Sequence, residues 1–295
     1  MFNMSYKMQK RVILVLFLFV PLLLLATFSY FPAIKLIELS FSKWNGIAKS
    51  YPYVGFSNYL DIFNDPSMLM TFQNNAAYVV VALFQTIFAL YLAVVLNSRV
   101  IFRNFFKSSI FMPTILNGVA TAFMFNFLYN FESSPINTIL RNIGLEQYAV
   151  KWLGAGYFSN FSLAFIGLWK NTGFAMVVFL GALQSIPKEY YEAADIDGAN
   201  FLTKIRYIIL PSIKTVVELN LFLSINGSLQ AFFESFIITH GGPAGRTDTF
   251  VTKTVSTAFE FHNFGMASAM GVILMIIIMI VVSIQRRFLR EDGEK

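Results

Sequence analysis

Six long apolar runs constrain this chain more than any other feature of its sequence. Each is long enough to cross about 30 Å of hydrocarbon as a helix, and four of them carry no charged residue. Backbone amides in hydrocarbon must be satisfied within the segment, so we predict an all-α membrane protein. A composition of 56% hydrophobic and 13% charged residues excludes a soluble domain. The predicted transmembrane helices, within one domain of residues 1–295, are residues 12–34, 76–97, 108–130, 161–184, 212–238 and 264–284.

The basic residues predict the orientation of these spans. Of the 22 lysines and arginines, 14 lie on the side of the two chain ends, seven lie on the other side, and Lys170 lies inside a span. Lys and Arg are enriched in cytoplasmic loops, so we predict a multi-pass protein of the bacterial plasma membrane with both termini in the cytoplasm. The basic residues are scattered at span ends, so the net charge of +6 does not indicate nucleic-acid binding.

The least membrane-like stretch between two spans is residues 187–211, which we predict to be a helical hairpin outside the bilayer. Pro187 suits the first turn of a helix, and Gly198 can take the positive φ that a sharp turn requires. A second amphipathic helix follows and is closed by Pro211. An ordinary cytoplasmic loop with a solvated charged face would fit the same physical pattern. The hairpin's small-residue face, which includes Ala193 and Ala194, would allow close approach to another surface.

The order of residues in this hairpin resembles the EAA loop of ABC importer permeases. The defined positions are Glu192-Ala193-Ala194, Gly198, Ile208 and Leu210-Pro211, all filled at the family's spacing. The neighbouring 197–199 segment resembles the carbohydrate-importer branch, the maltose-type permeases. The resemblance implies that this hairpin docks on an ATPase subunit. The residues it assigns to this coupling are Glu192, Ala193, Ala194, Asp195, Asp197, Gly198 and Pro211.

The C-terminal part of the chain is similar to the same family. Residues 239–243, THGGP, and residues 259–269, which contain FGMASA, resemble the pattern of sugar permeases. His240 stands where glycine is common, and Phe201 stands where Trp is frequent. The resemblance covers nearly the whole chain and implies the type I ABC importer permease fold, also called MetI-like.

The resemblance also implies the chain's partners. These are a second permease subunit in a heterodimer, two ATPase subunits, an extracellular or periplasmic solute-binding protein, and a carbohydrate substrate. The chain itself is expected to lie in the lipid bilayer. The chain has no GxxxxGK[ST] loop, so Mg-ATP is expected on the partner ATPase and the chain itself is not expected to be an enzyme or to bind a cofactor. With no cysteine and only His240 and His262, we expect neither a catalytic set nor a metal site.

Ionisable and polar side chains inside the spans are the candidates for the substrate path. Asn226, Gln230 and Glu234 fall at i, i+4 and i+8, which predicts one polar stripe along the fifth span. Phe222 and Phe233 lie close to it in sequence and could stack on a sugar, and Lys170 could pair with a glutamate of that span or extend to the interface. The alternative is that these side chains hold neighbouring helices together.

Two other functions fit part of the sequence. A polyol or glycerol-phosphate importer would favour basic residues in the path, of which Lys170 is one. An ion-coupled secondary transporter would show ionisable residues in several spans and internal repeats. Only the fifth span is rich in ionisable residues, so we favour an ABC importer of a sugar or oligosaccharide.

Overall fold

The computed structural model describes residues 6–98, 100–131, 134–154 and 157–290, without the side chains of residues 157 and 288–290. Arg99 and Lys295, two of the basic residues counted above, lie outside the described residues. Apart from one isolated bridge between Ser42 and Tyr53, the described chain forms helices, turns and loops, which confirms the predicted all-α class. In chain order the α-helices are α1 Tyr6–Leu25, α2 Phe31–Ser40, α3 Ser57–Asn64, α4 Pro66–Asn97, α5 Arg103–Ile115, α6 Gly118–Tyr129, α7 Pro135–Asn142, α8 Tyr157–Leu183, α9 Lys188–Ile196, α10 Phe201–Lys204, α11 Leu210–Ser212, α12 Lys214–Leu229, α13 Phe250–Phe259 and α14 Phe264–Arg290.

Four of the described helices are long and apolar enough to cross a membrane. They are Tyr6–Ser40, Pro66–Asn97, Phe158–Leu183 and Phe264–Arg287, and the number rises to six if each of two bent helix pairs counts as one span. Helices α1 and α2 are joined through a π-helical turn, Ala26–Tyr30, so the first span is longer than predicted. Helix α4 also begins earlier than predicted, because Asp65 caps its N-terminus and Pro66 occupies its first turn.

One bent pair differs from the uninterrupted span that the sequence predicts for residues 108–130, whereas the other bends where the predicted hairpin ends and the predicted fifth span begins. Helices α5 and α6 meet at 100°, because Leu116 is extended and Asn117 begins a new helix by accepting a hydrogen bond from the Val119 N–H (2.8 Å). The segment Phe201–Ser212 meets α12 at 82°, immediately after Pro211. Proline and a side-chain N-cap both favour the end of one helix and the start of another, so the bends have local causes.

Contacts group the chain into two compact units, residues 1–64 with 254–276 and residues 65–253 with 277–295. In the first unit, Asn58 donates to the carbonyl oxygens of Ser40 (2.8 Å) and Ser42 (3.0 Å) and so fixes the end of α2. The start of α14 is held against the segment that follows α2, because the Trp44 carbonyl oxygen accepts from the Phe264 N–H (2.9 Å). A side chain at Gly265 would meet the Ser42 carbonyl oxygen, so only glycine fits there.

The second unit is built on α4 and α8, with α5 and α12 packed against them. One apolar cluster joins α4 and α8 to the hairpin, and its buried members include Ala93, Phe179, Ile186 and Ile213. At Gly173 on α8, the backbone of α5 approaches so closely that a Cβ would meet the Ile110 carbonyl oxygen and lie 2.6 Å from the Phe111 Cα. Small residues that allow such approach are typical of helix crossings in membranes.

We expect Gly173→Ala to destabilise the protein by about 1–3 kcal/mol, because the added methyl group has no room at this crossing. Gly181 lies on the same helix with nothing within 4 Å of its added Cβ, so Gly181→Ala is the matched control. The control should be neutral or stabilising by up to about 1 kcal/mol, since alanine is the better helix former. Thermal unfolding of the detergent-purified variants measures both, and equal effects would contradict the close crossing.

Candidate functional site

A cavity of about 340 Å³ lies among α4, α5, α8 and α12 in the second unit. Its wall combines apolar side chains with hydroxyl, amide and carboxyl groups. This mixture, apolar with a few placed polar groups, is typical of sites for small molecules. The polar side chains on the wall include Tyr78, Gln85, Asn171, Asn220, Ser224 and Glu234.

The fifth apolar segment is interrupted just before Glu234, which lies on the cavity wall. Helix α12 ends at Leu229, residues 230–232 are not helical, and helical backbone resumes ahead of the π-helical turn Ser235–Thr239. Ala231 and Glu234 line the cavity beside Ser228, at the end of α12. Gly167 on α8 faces the carboxyl group, since an added Cβ there would lie 4.0 Å from Glu234 Oε1. Glycine on the opposing helix therefore leaves room for the glutamate.

Asn75 on α4 satisfies the backbone groups that this break exposes. Its Nδ2 donates to the carbonyl oxygens of Ser228 (3.2 Å) and Leu229 (3.2 Å) at the end of α12, where the Ser228 oxygen also accepts from the Ala231 N–H (3.3 Å). Its Oδ1 accepts from the N–H of Phe250 (2.8 Å), at the start of α13. The side chain is 4% exposed, so these bonds form away from solvent. One amide therefore links three segments around the cavity.

A second buried asparagine holds the loop that follows the break. Asn74 donates to the Asp248 carbonyl oxygen (2.8 Å) and accepts from Asn160 Nδ2 (2.9 Å) on α8. Within the loop, Ser235 donates to the Thr247 carbonyl oxygen (2.6 Å). Gly241 has a φ of +73°, and a Cβ there would meet the Asp248 carboxylate, so this position of the THGGP segment requires glycine. The loop is thus fixed by hydrogen bonds to α4 and α8.

The predicted stripe through Asn226, Gln230 and Glu234 is wrong as a continuous helical face. The register of i, i+4 and i+8 assumes one helix, and α12 ends before Gln230. Gln230 Nε2 instead donates to Asn226 Oδ1 (2.8 Å), and neither side chain lines the cavity, whereas Glu234 does. The role of these residues in a substrate path stays a prediction.

The remaining predicted path residues lie around the cavity and not on its wall. Phe222 is half-buried on α12. Phe233 and the Lys170 ammonium both lie beside Gly118, because a Cβ added at Gly118 would be within 4 Å of each of them. Lys170 Nζ is more than 4.0 Å from the Glu234 carboxylate oxygens, so the two do not form an ion pair. The Lys170 carbonyl oxygen accepts from Thr114 Oγ1 (2.8 Å) on α5.

Sequence reasoning missed the contributions of α4 and α8 to the wall. Tyr78, Gln85 and Asn171 are polar side chains in apolar spans, which is the signal that could have found them. Tyr78 and Gln85 lie seven residues apart on one face of α4, whereas Asn171 lies on α8, so the complete wall is assembled from several helices. Among the described residues, no group of three or more His, Asp or Glu side chains could hold a metal ion.

A second candidate site is the hairpin formed by α9 and the helical segment Phe201–Ser212. Helix α9 ends with the hydrogen bonds of a glycine C-cap: Gly198 N–H donates to Asp195 O (3.2 Å) and Ala199 N–H to Ala194 O (2.9 Å). Gly198 has a φ of +74°, as the sequence predicts. Pro187 lies one residue before α9, as its N-cap. Asn200 then caps α10 by accepting from the Thr203 N–H (2.9 Å).

The hairpin exposes most of the residues predicted for coupling. Ala194 is the exception: it is buried against its own chain and is not available to a partner. Ile196, which the sequence reasoning did not select, is 87% exposed at the tip of α9. An apolar side chain this exposed at the centre of a charged surface is typical of an interface anchor. The exposed predicted residues are Glu192, Ala193, Asp195, Asp197, Gly198 and Pro211.

Packing and one ion pair hold the hairpin in place. Ile209 and Ile213 are buried in the apolar cluster with α4 and α8, and Tyr191 packs against it. Burial raises the pKa of the Tyr191 hydroxyl above its ordinary value. Lys204 on the second helix pairs with Asp195 on α9. Apolar burial supplies most of the attachment, because an ion pair with an exposed partner contributes little.

The chain belongs to the family of binding-protein-dependent transport system inner membrane components, whose model matches residues 85–291. Members of this family are the membrane subunits of such transport systems, which agrees with the apolar spans and the surface hairpin. The chain is therefore a multi-pass membrane permease.

Relatives and solved structures agree with this assignment. The chain is 30% identical over 290 residues to the probable ABC transporter permease protein YurN of Bacillus subtilis, covering 97% of this chain and 99% of YurN. It is 32% identical over 265 residues to the arabinooligosaccharides transport system permease protein AraP of Halalkalibacterium halodurans, covering 88% and 82%. The crystal structure of a bacterial ABC transporter involved in the import of the acidic polysaccharide alginate superposes with a TM-score of 0.84 at 22% identity, covering 98% of both chains. The fold is therefore that of the ABC importer permeases, as the sequence predicts.

We expect Asn75→Asp to lower the free energy of unfolding by about 2–4 kcal/mol. The variant keeps the acceptor for Phe250 but loses the N–H donors to the end of α12, which removes the side-chain donor to the Leu229 carbonyl oxygen and places a carboxylate beside two carbonyl oxygens. Asn226→Asp is the matched control, because Asn226 uses only its Oδ1 in the bond with Gln230 and aspartate keeps that oxygen. Thermal unfolding in detergent should show a change within about 0.5 kcal/mol for the control. A stable Asn75→Asp protein would show that the break does not depend on this amide.

Proposed function

We propose that this chain is the transmembrane subunit of an ABC importer that carries a sugar or oligosaccharide through the cavity between α4, α8 and α12. The observation that carries the proposal is the cavity wall, where hydroxyl and amide groups from several helices converge within an apolar surround. Sugars present many hydroxyls, each able to donate and accept, and such side chains match them. The carbohydrate named for the AraP relative supports the same substrate class.

The proposed coupling element is the hairpin of α9 and the segment Phe201–Ser212. Its exposed face, centred on Ile196 and Glu192, would dock on an ATPase subunit that binds and hydrolyses Mg-ATP. The chain itself then needs no catalytic residue. Because the hairpin is packed on α4 and α8 through the apolar cluster, movement of the ATPase subunits would move the helices that line the cavity and open it to alternate sides of the membrane.

The remaining partners follow from this function. We propose a second permease subunit of similar fold in a heterodimer, two ATPase subunits, and a solute-binding protein outside the membrane. Both termini and the hairpin would face the cytoplasm, where the ATPase subunits are. Among the described residues, none in the most apolar 18-residue stretch of Tyr6–Ser40 is buried, so this helix has a surface free to face lipid or another subunit.

The cavity disfavours a glycerol-phosphate substrate. A phosphate group is bound by cations or by backbone N–H groups, and the ionisable side chain on the described wall is the carboxyl of Glu234. Lys170, the residue that favoured a phosphate substrate, does not line the cavity.

The cavity assignment predicts that Gln85→Leu raises the KM for saccharide uptake about tenfold, because one hydrogen bond to the substrate is lost at nearly constant volume. Gln230→Leu is the matched control, since Gln230 bonds Asn226 outside the wall, and its KM should change less than about twofold. Uptake by proteoliposomes that contain the assembled transporter measures both. If Gln230→Leu changed the KM more than Gln85→Leu does, the substrate path would lie along the Asn226–Gln230 side of α12 and not in the cavity.

The coupling assignment predicts different results for two substitutions at Gly198. Nothing lies within 4 Å of an added Cβ, so the backbone conformation alone decides the effect. Valine at this positive φ costs about 1–2 kcal/mol or more, whereas asparagine tolerates it. We expect Gly198→Val to lose most saccharide-stimulated ATP hydrolysis while it still binds saccharide, and Gly198→Asn to retain most of it. If Gly198→Val kept full saccharide-stimulated ATP hydrolysis, coupling would not depend on the turn of the hairpin.

A further inference from the structure

The described wall of the cavity has an acidic side chain and no basic one. Glu234 is the carboxyl group on the wall, and no lysine or arginine is among the described lining residues. The other polar groups there are neutral hydroxyls and amides. A carboxylate accepts hydrogen bonds from hydroxyl or ammonium groups and repels a second carboxylate nearby, more strongly in a site partly shielded from water.

A second polar side chain on the same wall has a hydroxyl group without a protein partner. Tyr78 is 6% exposed on α4, lines the cavity, and its buried hydroxyl has no hydrogen-bond partner among the described residues. A buried hydroxyl without a partner is costly, so it is suited to a group that enters the cavity. Tyr78 and Glu234 are thus two polar side chains of one cavity.

The cation inside the membrane does not cancel this preference at the wall. The charge of Lys170 acts on Glu234, but the ammonium is more than 4.0 Å from the carboxylate oxygens. It lies beside Gly118 and Phe233, and Lys170 does not line the cavity. A molecule in the cavity therefore meets the carboxylate and not the ammonium.

We propose that Glu234, assisted by the Tyr78 hydroxyl, sets the charge preference of the cavity, so that it admits neutral and amino-bearing saccharides and rejects saccharides that carry a carboxylate. This inference rests on the proposed function of the cavity as the sugar path. The solved transporter that shares this fold is involved in the import of an acidic polysaccharide. The inference therefore gives this chain a different class of substrate.

The test measures direct binding to the purified transporter, with the full chain and its partner subunits but without the solute-binding protein, which has a preference of its own. The probes are three labelled disaccharides of one linkage: a neutral one, one with a uronate in place of one sugar, and one with an amino sugar at that place. For the native chain we expect the uronate to bind at least about tenfold more weakly than the neutral disaccharide. The amino disaccharide should bind at least as tightly as the neutral one.

Variants assign this preference to the two residues. Glu234→Gln should bring the three dissociation constants within about threefold of one another, and Glu234→Asp, which keeps the charge, should retain the order. Tyr78→Phe should weaken the neutral disaccharide several-fold, and unchanged binding would remove Tyr78 from the inference. Equal binding of the uronate and the neutral disaccharide by the native chain would overturn the inference. So would a Glu234→Gln variant that keeps the native order of the three dissociation constants.

The result for Gln85→Leu separates failure of this inference from failure of the proposed function. If Gln85→Leu weakens all three disaccharides while Glu234→Gln leaves the charge preference intact, the cavity is the path and the inference alone is wrong. If the native chain binds none of the disaccharides, or Gln85→Leu leaves all of them unchanged, the cavity is not the sugar path and both fail.

Discussion

The need to satisfy backbone hydrogen bonds inside the membrane governs the part of the structure that contains the cavity. A helix that stops at Leu229 leaves carbonyl oxygens without partners, and hydrocarbon offers none. The side chain of Asn75, on a helix distant in sequence, supplies the donors and at the same time accepts from the first residue of α13. The non-helical residues 230–232 can exist at this place because side chains supply the missing donors: the Asn75 amide bonds the Leu229 carbonyl oxygen, and the Thr249 hydroxyl bonds the Ala231 carbonyl oxygen (2.7 Å).

The parts that the sequence predicts well are those determined by local pattern. Long apolar runs fix the existence and approximate position of the spans, because hydrocarbon thickness sets their length. The turn of the hairpin is predicted because Gly198 and Pro211 act on the backbone within a few residues of themselves, whereas the Asn200 cap was not selected from the sequence. The family resemblance of that hairpin is also carried by a single short stretch.

The parts that the sequence predicts poorly depend on contacts between distant residues. The local pattern around residue 230 does not place the end of a helix: Asn226-Gly227-Ser228 is a run of poor helix formers, yet α12 continues through it to Leu229, and no proline stands at the break. The partner, Asn75, is more than 150 residues away, so the helical register of Asn226, Gln230 and Glu234 appears continuous in sequence and is not. The cavity wall is likewise divided among α4, α5, α8 and α12. Polar residues recur at helical spacing on one helix, as Asn220, Ser224 and Ser228 do on α12, but which helix faces meet depends on packing between distant segments. Ala194 shows the same limit on the hairpin, because its burial depends on packing that the motif does not encode.

Helix α12 connects the two candidate sites and gives a physical reason for their arrangement. It begins where the hairpin bends at Ile213, which is buried against α4 and α8, and it ends at the break beside the cavity. Its 16 residues span about 24 Å, so a displacement at the hairpin reaches the cavity through one hydrogen-bonded element. If the helix continued through residues 230–234, the same displacement would be carried beyond the cavity to the loop that follows. The break instead ends the rigid element at the cavity wall, where a small change in the position of Ser228 and Leu229 acts on Asn75 and on the segment that holds Glu234.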